Sequence, residues 1–277
     1  MLFRALLASA AMQIDTGTEL LVARVDGPIG RLIFNDPARH NVLALAMQEA
    51  IPGVVEAWEA DPTVRVIVIE GAGGRAFVAG ADISEFGARR TAPQDRAEYD
   101  KRSGAAWRVW RHVSKPVIAK IDGYCIGGGL LMALQADVRI CSEPSTFAVP
   151  AARLGLGYGF GGVRQLMNHV NPAIASEILF SARRFSSAEA LNVGLVNRVV
   201  PVDELEAAVV ELAGQMARNA PLTIAACKAA IRLAADAGSD VDTSEVDALT
   251  EACFASQDYL EGQDAFLAKR EPQFRGI

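Results

Sequence analysis

The chain has 277 residues, 51% of them hydrophobic and 22% charged, with a net charge of −6 at pH 7. That length accommodates one large domain or two small ones around a sizeable core, and the composition is that of an ordinary globular protein. The acidic balance argues against nucleic acid or an anionic membrane as the principal partner.

The opening "MLFRALLASAAM" carries a short apolar run without a clear cleavage context, so residues 1–11 read as an extension rather than a signal peptide, with Met12 as an alternative start. "LLVARV" (20–25) and "GRLIFN" (30–35) flank Gly27-Pro28 and predict a hairpin. "ALAMQEAIPGVVEAWEAD" (44–61) has helical spacing, with Pro52 and Gly53 expected to kink or restart the helix. "VRVIVIEG" (64–71) is a nearly continuous β-branched run, as a strand buried on both faces requires. The helix "RAEYDKRSGAAWRVWRHV" leads to two further strands, "KPVIAKIDG" (115–123) and "DVRICSE" (137–143).

Beyond Pro201 the periodicity is helical only. "VDELEAAVVELAGQMARNAP" (202–221) predicts a helix capped by Asp203, and "PLTIAACKAAIRLAADAG" has Pro221 at its start and Gly238 past its end. "SEVD" (244–247) and "DYLE" (258–261) match the capping-box pattern ahead of two more helices. The expected organisation is an α/β core over 12–200 and a helical region over 201–277, which either covers the core or builds an oligomer interface.

Four cysteines, Cys125, Cys141, Cys227 and Cys253, form no C-x-x-C pair and share no zinc-type spacing with the three histidines. They read as reduced thiols of a cytoplasmic protein. Two glycine-containing stretches carry chemical interest: "RAFVAGADISEF" (75–86) and "IDGYCIGGGLLMALQAD" (121–137). A glycine-rich strand-to-helix turn exposes N–H groups at the positive end of the helix dipole. One such group from each stretch, meeting at a single oxygen, makes an oxyanion hole worth about 3 kcal/mol per donor. The alternative is that these glycines serve tight packing alone. "GYGFGG" (157–162) matches the dinucleotide pattern at Gly157, Gly159 and Gly162, with Glu177 about twenty residues on. Its context fails, because Pro150 sits in the preceding segment and Glu177 lies in the helical run "ASEILF", so nicotinamide or flavin binding is disfavoured.

"FVAGADISEF", "GYCIGGGLLMALQADVRI" and "FAVPAARLGLGYGFGG" together resemble the crotonase superfamily, the enoyl-CoA hydratase/isomerase family. The resemblance runs from about Ile14 to "EGQDAFLAKREPQF" (261–274) and includes "ARHNVL" (38–43), similar to a coenzyme A-contacting segment. It implies an α/β spiral of repeated ββα units with C-terminal helices that assemble trimers or dimers of trimers. It also implies a cytoplasmic acyl-CoA enzyme, of lyase or isomerase type in fatty acid metabolism, without a metal or redox cofactor, coenzyme A arriving as part of the substrate. The thioester oxygen would lie between the N–H groups of Ala81 and Gly128. Arg39, Val42, Ala79, Asp82 and Ile83 would line the substrate, Leu131 and Ala151 the acyl pocket, and Phe266 and Lys269 the nucleotide end across a subunit boundary.

Hydratases of the family place one glutamate where this chain has Leu131 and a second where it has Ala151. Isomerases place their acid at the Ala151 position, and dienoyl isomerases add an aspartate where this chain has Gly159. Adding water across a double bond needs groups that activate the water and protonate the α-carbon, which Leu131 and Ala151 cannot supply. Three expectations follow. The first is a reaction needing little general base, such as malonyl-CoA-type decarboxylation or thioester hydrolysis. Tyr158, which aligns with a tyrosine near the substrate of methylmalonyl-CoA decarboxylases, would then orient a carboxylate or donate a hydrogen bond, the alternative being a glycine-flanked aromatic that lines the pocket; those relatives have histidine where this chain has Ala81. The second is proton transfer by another side chain, from among Asp82, Glu85, Glu143, Arg153 and Tyr158. Structural or solvated roles are expected for Asp82, Glu143, Asp137 and Arg153, a helix-end role for His112, and no catalytic role for His40 or His169. The third is an acyl-CoA-binding protein without turnover.

Overall fold

A computed structural model describes residues 12–82, 93–236 and 242–277. Strands β1 (Met12–Ile14), β2 (Leu21–Asp26) and β3 (Ile29–Phe34) form an antiparallel meander, and the expected hairpin turns at Gly27 and Pro28. From there β4 (Val66–Gly71), β6 (Val117–Ile121), β8 (Val138–Ser142) and β11 (Arg198–Val200) add in parallel, completing a seven-stranded sheet in the order β1-β2-β3-β4-β6-β8-β11. A second, four-stranded sheet runs β10-β9-β7-β5, from β5 (Ala76–Val78), β7 (Tyr124–Ile126), β9 (Thr146–Ala148) and β10 (Phe185–Ser186).

The two sheets are built by one repeated move. In each of the pairs β4/β5, β6/β7 and β8/β9 the first strand enters the large sheet and the second, a few residues later, enters the small one. Successive turns stack in parallel, so the chain winds as a spiral.

Helix α1 (Leu45–Ala60) is continuous through Pro52, where a kink or restart was expected. Proline forfeits one backbone hydrogen bond, but Met47, Ile51, Val54, Val55 and Trp58 are buried in the main core on a single face, and that packing keeps the helix whole. The β4 run is buried on both faces, as its composition predicts. Ile67 and Ile69 face the main core, while Val66 and Val68 meet Leu205, Val209 and Ala213 on the other side.

After α2 (Pro93–Arg108), the short α3 (Gly128–Ala133) follows β7; α4 (Phe160–Met167), α5 (Pro172–Ser181) and α6 (Ser187–Asn192) precede β11. The described residues beyond β11 form α7 (Leu205–Arg218), α8 (Pro221–Asp236), α9 (Ser244–Ala255), α10 (Gln257–Ala268) and a tail. Of the two expected uses for these helices, α7 covers the large sheet. Three capping expectations fail. A 3-10 turn, Val202–Glu204, takes Asp203 out of the cap position before α7. Thr243 rather than Ser244 caps α9, and its hydroxyl bonds Asp247 rather than the backbone. Ser256, not Asp258, caps α10, because the Asp258 carboxylate instead accepts the N–H groups of Arg275 and Gly276. Gly238 lies outside the described residues.

Arg31, Glu70 and Lys120 sit on the α7 face of the large sheet, where hydrophobic neighbours exclude water. Glu70 receives Arg31 at 2.9 Å and Lys120 at 2.7 Å, and Glu206 of α7 bonds both cations. Removing one partner of a buried ion pair strands the others. Glu70→Ala is therefore expected to cost about 3–5 kcal/mol in urea unfolding, and Glu206→Ala, whose side chain is half exposed, distinctly less.

Candidate functional site

The centre of the molecule is the approach of the glycine triplet to the end of β5. Gly127 caps α3 with φ 54° and ψ −116°, a conformation that essentially only glycine adopts. A Cβ on Gly129 would stand 2.0 Å from the Val78 carbonyl oxygen, so that position excludes any side chain. Gly127 thus serves the turn into the helix and Gly129 the close backbone packing, and together they place the third. A Cβ on Gly128 would meet the Ala81 nitrogen at 3.5 Å, with the Gly80 carbonyl carbon and a Leu43 methyl at 3.9 Å.

Ala81 is oriented by a parallel bridge to Leu43. Leu43 N–H donates to Gly80 O at 2.8 Å, and Asp82 N–H donates to Leu43 O at 3.4 Å. Peptide groups alternate along an extended chain, so the N–H of Ala81 points away from Leu43. Neither it nor the Gly128 N–H, at the first position of α3, has a hydrogen-bond partner among the described residues. Two donors without a partner among the described residues therefore lie close together, with the positive end of α3 behind them.

The remaining residues of interest surround this arrangement in different ways. Leu131 is half-buried against the main core, and Ala151 is buried in the 3-10 turn Pro150–Leu154; neither takes or gives a proton. Tyr158 packs its ring over Gly162, and its hydroxyl is shut off from solvent without a hydrogen-bond partner among the described residues. Burial alone raises its pKa well above the ordinary value, so the hydroxyl is a neutral donor at any physiological pH.

Asp82 is buried and accepts Arg39 at 2.7 Å, while Arg39 also holds Asp36 at 2.8 Å, consistent with a structural role. Val42 and Ala79 are half-buried beside this pair's segments. Asp137 accepts the Val117 N–H and the buried Lys228 ammonium, both at 2.7 Å. Glu143 and Arg153 are exposed, and His112 ends the 3-10 turn Val109–His112. Ile83 and Glu85 lie outside the described residues. Phe266 is 84% exposed on α10, and Lys269 closes that helix in a left-handed conformation. "GYGFGG" joins the Pro150–Leu154 turn to α4 without a strand leading into it, which is not the dinucleotide arrangement. Among the described residues, no group of three His, Cys, Asp or Glu is placed to hold a metal ion, and no helix is long and apolar enough to cross a membrane.

One cluster was not anticipated from the sequence. His169 Nε2 donates to Leu134 O at 3.2 Å, Gln165 Nε2 donates to the same oxygen at 2.6 Å, and Arg139 donates to His169 Nδ1 at 3.3 Å. These side chains come from two places in the chain, Gln165 and His169 one helical turn apart and Arg139 30 residues before His169, and no motif joins the two places. Burial and the adjacent Arg139 hold the His169 pKa down to about 4.

The enoyl-CoA hydratase/isomerase family model matches residues 25–276 of this chain. Carnitinyl-CoA dehydratase of Proteus mirabilis is 38% identical over 254 residues, covering 90% of this chain and 96% of that protein. Crotonyl-CoA hydratase of Syntrophomonas wolfei is 35% identical, covering 92% and 98%. Among solved structures, an enoyl-CoA hydratase/carnithine racemase from Magnetospirillum magneticum superposes with a TM-score of 0.90 at 33% identity, over 96% of this chain and 97% of that one. Enoyl-CoA hydratase from Bacillus anthracis gives 0.84 at 28% identity, over 94% and 100%. The chain belongs to the enoyl-CoA hydratase/isomerase family of the crotonase superfamily, and its α/β spiral is the crotonase fold.

His169 generates a pH prediction. Its folded pKa of about 4 lies below the ordinary 6.5, so the unfolded chain binds the extra proton first. The stability contributed is complete above about pH 6.5 and is lost as pH falls towards 4, up to about 3 kcal/mol. Denaturant titrations at stepped pH are expected to show this slope in the wild type and a flatter one in His169→Gln.

Proposed function

We propose that the protein processes an acyl-CoA thioester by stabilising enolate charge between the N–H groups of Ala81 and Gly128, and that ordinary enoyl-CoA hydration is not its main reaction. The observation that carries this reading is the pair of N–H groups, without partners among the described residues, set close together by the Leu43–Ala81 bridge and the glycine triplet. Such donors act where charge develops in the transition state. Leu131 and Ala151 supply an apolar acyl pocket and no proton transfer.

A reaction whose substrate generates its own enolate fits these groups best. Loss of carbon dioxide from a malonyl-CoA-type ester leaves the electron pair on the α-carbon and the charge on the thioester oxygen, so no base is required. The Tyr158 hydroxyl, neutral and without a partner among the described residues, is the favoured group to orient the departing carboxylate or protonate the enolate. Thioester hydrolysis is the alternative within this class. Dehydration or hydration is supported by the names of the relatives rather than by these side chains. An acyl-CoA-binding protein without turnover is the reading of another class, and it has little use for two transition-state donors.

No metal or redox group enters this scheme, because polarising the thioester is the chemistry and coenzyme A arrives with the substrate. Arg39, Val42, Ala79, Asp82 and Ile83 are assigned to the coenzyme A ester, and Phe266 and Lys269 to its nucleotide end. The exposure of Phe254, Leu260, Phe266 and Leu267 supports assembly into a trimer or a dimer of trimers, in the cytoplasm, through the C-terminal helices.

The test is a mass-spectrometric panel of crotonyl-CoA, a longer enoyl-CoA, methylmalonyl-CoA and a β-keto ester, run on wild type, Tyr158→Phe and Gly128→Pro. Proline is tolerated at the first position of a helix and removes the N–H, so Gly128→Pro is expected to lower turnover about 10²–10³-fold. Carbon dioxide release or thioester cleavage that falls in Tyr158→Phe supports the proposal. Efficient hydration of crotonyl-CoA, or undiminished turnover by a folded Gly128→Pro variant, overturns it.

A further inference from the structure

The helix whose first residue is Gly128 is gripped at its other end. Leu134, directly after α3, accepts on one carbonyl oxygen from Gln165 at 2.6 Å and from His169 at 3.2 Å. Two residues on, the Ala136 carbonyl accepts Arg139 at 2.7 Å. Arg139 also donates to Leu195 O at 2.8 Å and to His169 Nδ1 at 3.3 Å. His169 therefore accepts on one ring nitrogen and donates from the other, which defines the neutral ring with its proton on Nε2. Its depressed pKa agrees with that form.

The guanidinium of Arg139 is the unusual member. The residue is 3% exposed; its hydrogen-bond partners are carbonyls and an imidazole, and the nearby Asp137 carboxylate attracts it without a direct ion-pair contact among the described residues. This contrasts with Arg31 on the opposite face of the same sheet, which bonds Glu70 and Glu206. A buried cation without a bonded counter-ion is costly, and the Ala136 and Leu195 carbonyls offset part of that cost by accepting its N–H groups. Helix α3 is six residues long, about 9 Å at 1.5 Å per residue, so the grip on the segment that follows it bears directly on where its first residue sits.

We propose that Arg139, His169 and Gln165 are positioning residues of the oxyanion hole: they anchor the far end of α3 so that the Gly128 N–H is held beside that of Ala81. The inference rests on the hole described under Proposed function. It assigns Arg139, His169 and Gln165 no contact with substrate; they act through α3.

A chromophoric thioester, 4-(dimethylamino)cinnamoyl-CoA, reads the hole directly, because its absorption moves to longer wavelength as hydrogen bonds polarise its carbonyl. The full chain is titrated with this probe, and separately with free coenzyme A, as wild type, Arg139→Met, Gln165→Met and His169→Gln. Wild type is expected to red-shift the probe. Arg139→Met and Gln165→Met are expected to lose at least half of that shift while binding free coenzyme A within twofold of wild type. His169→Gln, which keeps a donor and an acceptor, is expected to retain most of it. Loss of general packing would not separate the shift from coenzyme A affinity in this way. If Arg139→Met does not fold, Gln165→Met, altered at a half-buried position, carries the test alone. A wild-type shift that survives in the folded variants overturns the positioning role and leaves the hole intact. Binding of the probe by wild type without any shift overturns the hole and this inference together.

Discussion

The contact on which the rest of the site depends is that between the backbone of the glycine triplet and the end of β5. Two chain segments separated by some fifty residues approach so closely that a methyl group on Gly129 would overlap the Val78 carbonyl. Such an approach is possible only where one partner carries no side chain. It joins the start of a helix, with its unsatisfied N–H groups, to the edge of a strand, whose alternate N–H groups point outward. Neither element alone sets two donors together; their contact brings Gly128 close to the Ala81 nitrogen.

The spiral makes this contact possible. Because each turn gives one strand to the large sheet and the next to the small sheet, β5 and β7 become parallel neighbours. The segments that leave them, one through Gly80 and Ala81 and the other through Gly127 and Gly128, emerge on the same side. The large sheet, buried between the main core and α7, supplies the rigidity. The interior charges fall into two kinds. Arg31 and Lys120 are neutralised by carboxylates and serve the sheet. Arg139 is satisfied by carbonyls and His169 beyond the far end of the helix that begins with Gly128, with Asp137 nearby rather than in direct contact.

Local signals were reliable where one interaction dominates. The β-branched run of β4 and the Gly27-Pro28 turn are legible because burial on both faces and turn geometry constrain few residue types. Pro52 misleads because its local penalty is smaller than the packing of the α1 face into the core. The expected capping residues mislead for a related reason. Asp258 has the right chemistry for a helix N-terminus, but the tail folds back and presents two backbone N–H groups to it. The side chain takes the partners that tertiary structure brings.

The sequence by itself determined the family, the α/β alternation, the glycines that permit the closest backbone approach, and the apolar character of positions 131 and 151. Each of these follows from residue identity or from short-range spacing. Tertiary structure decided that Ala81 and Gly128 lie together, that Asp82 is engaged by Arg39, that the Tyr158 hydroxyl is closed off without a partner among the described residues, and that Arg139, His169 and Gln165 meet at the end of α3. The physical reason is that hydrogen bonds and charges are satisfied by whatever lies within about 3 Å, and the winding of the chain, rather than order along it, sets which groups those are.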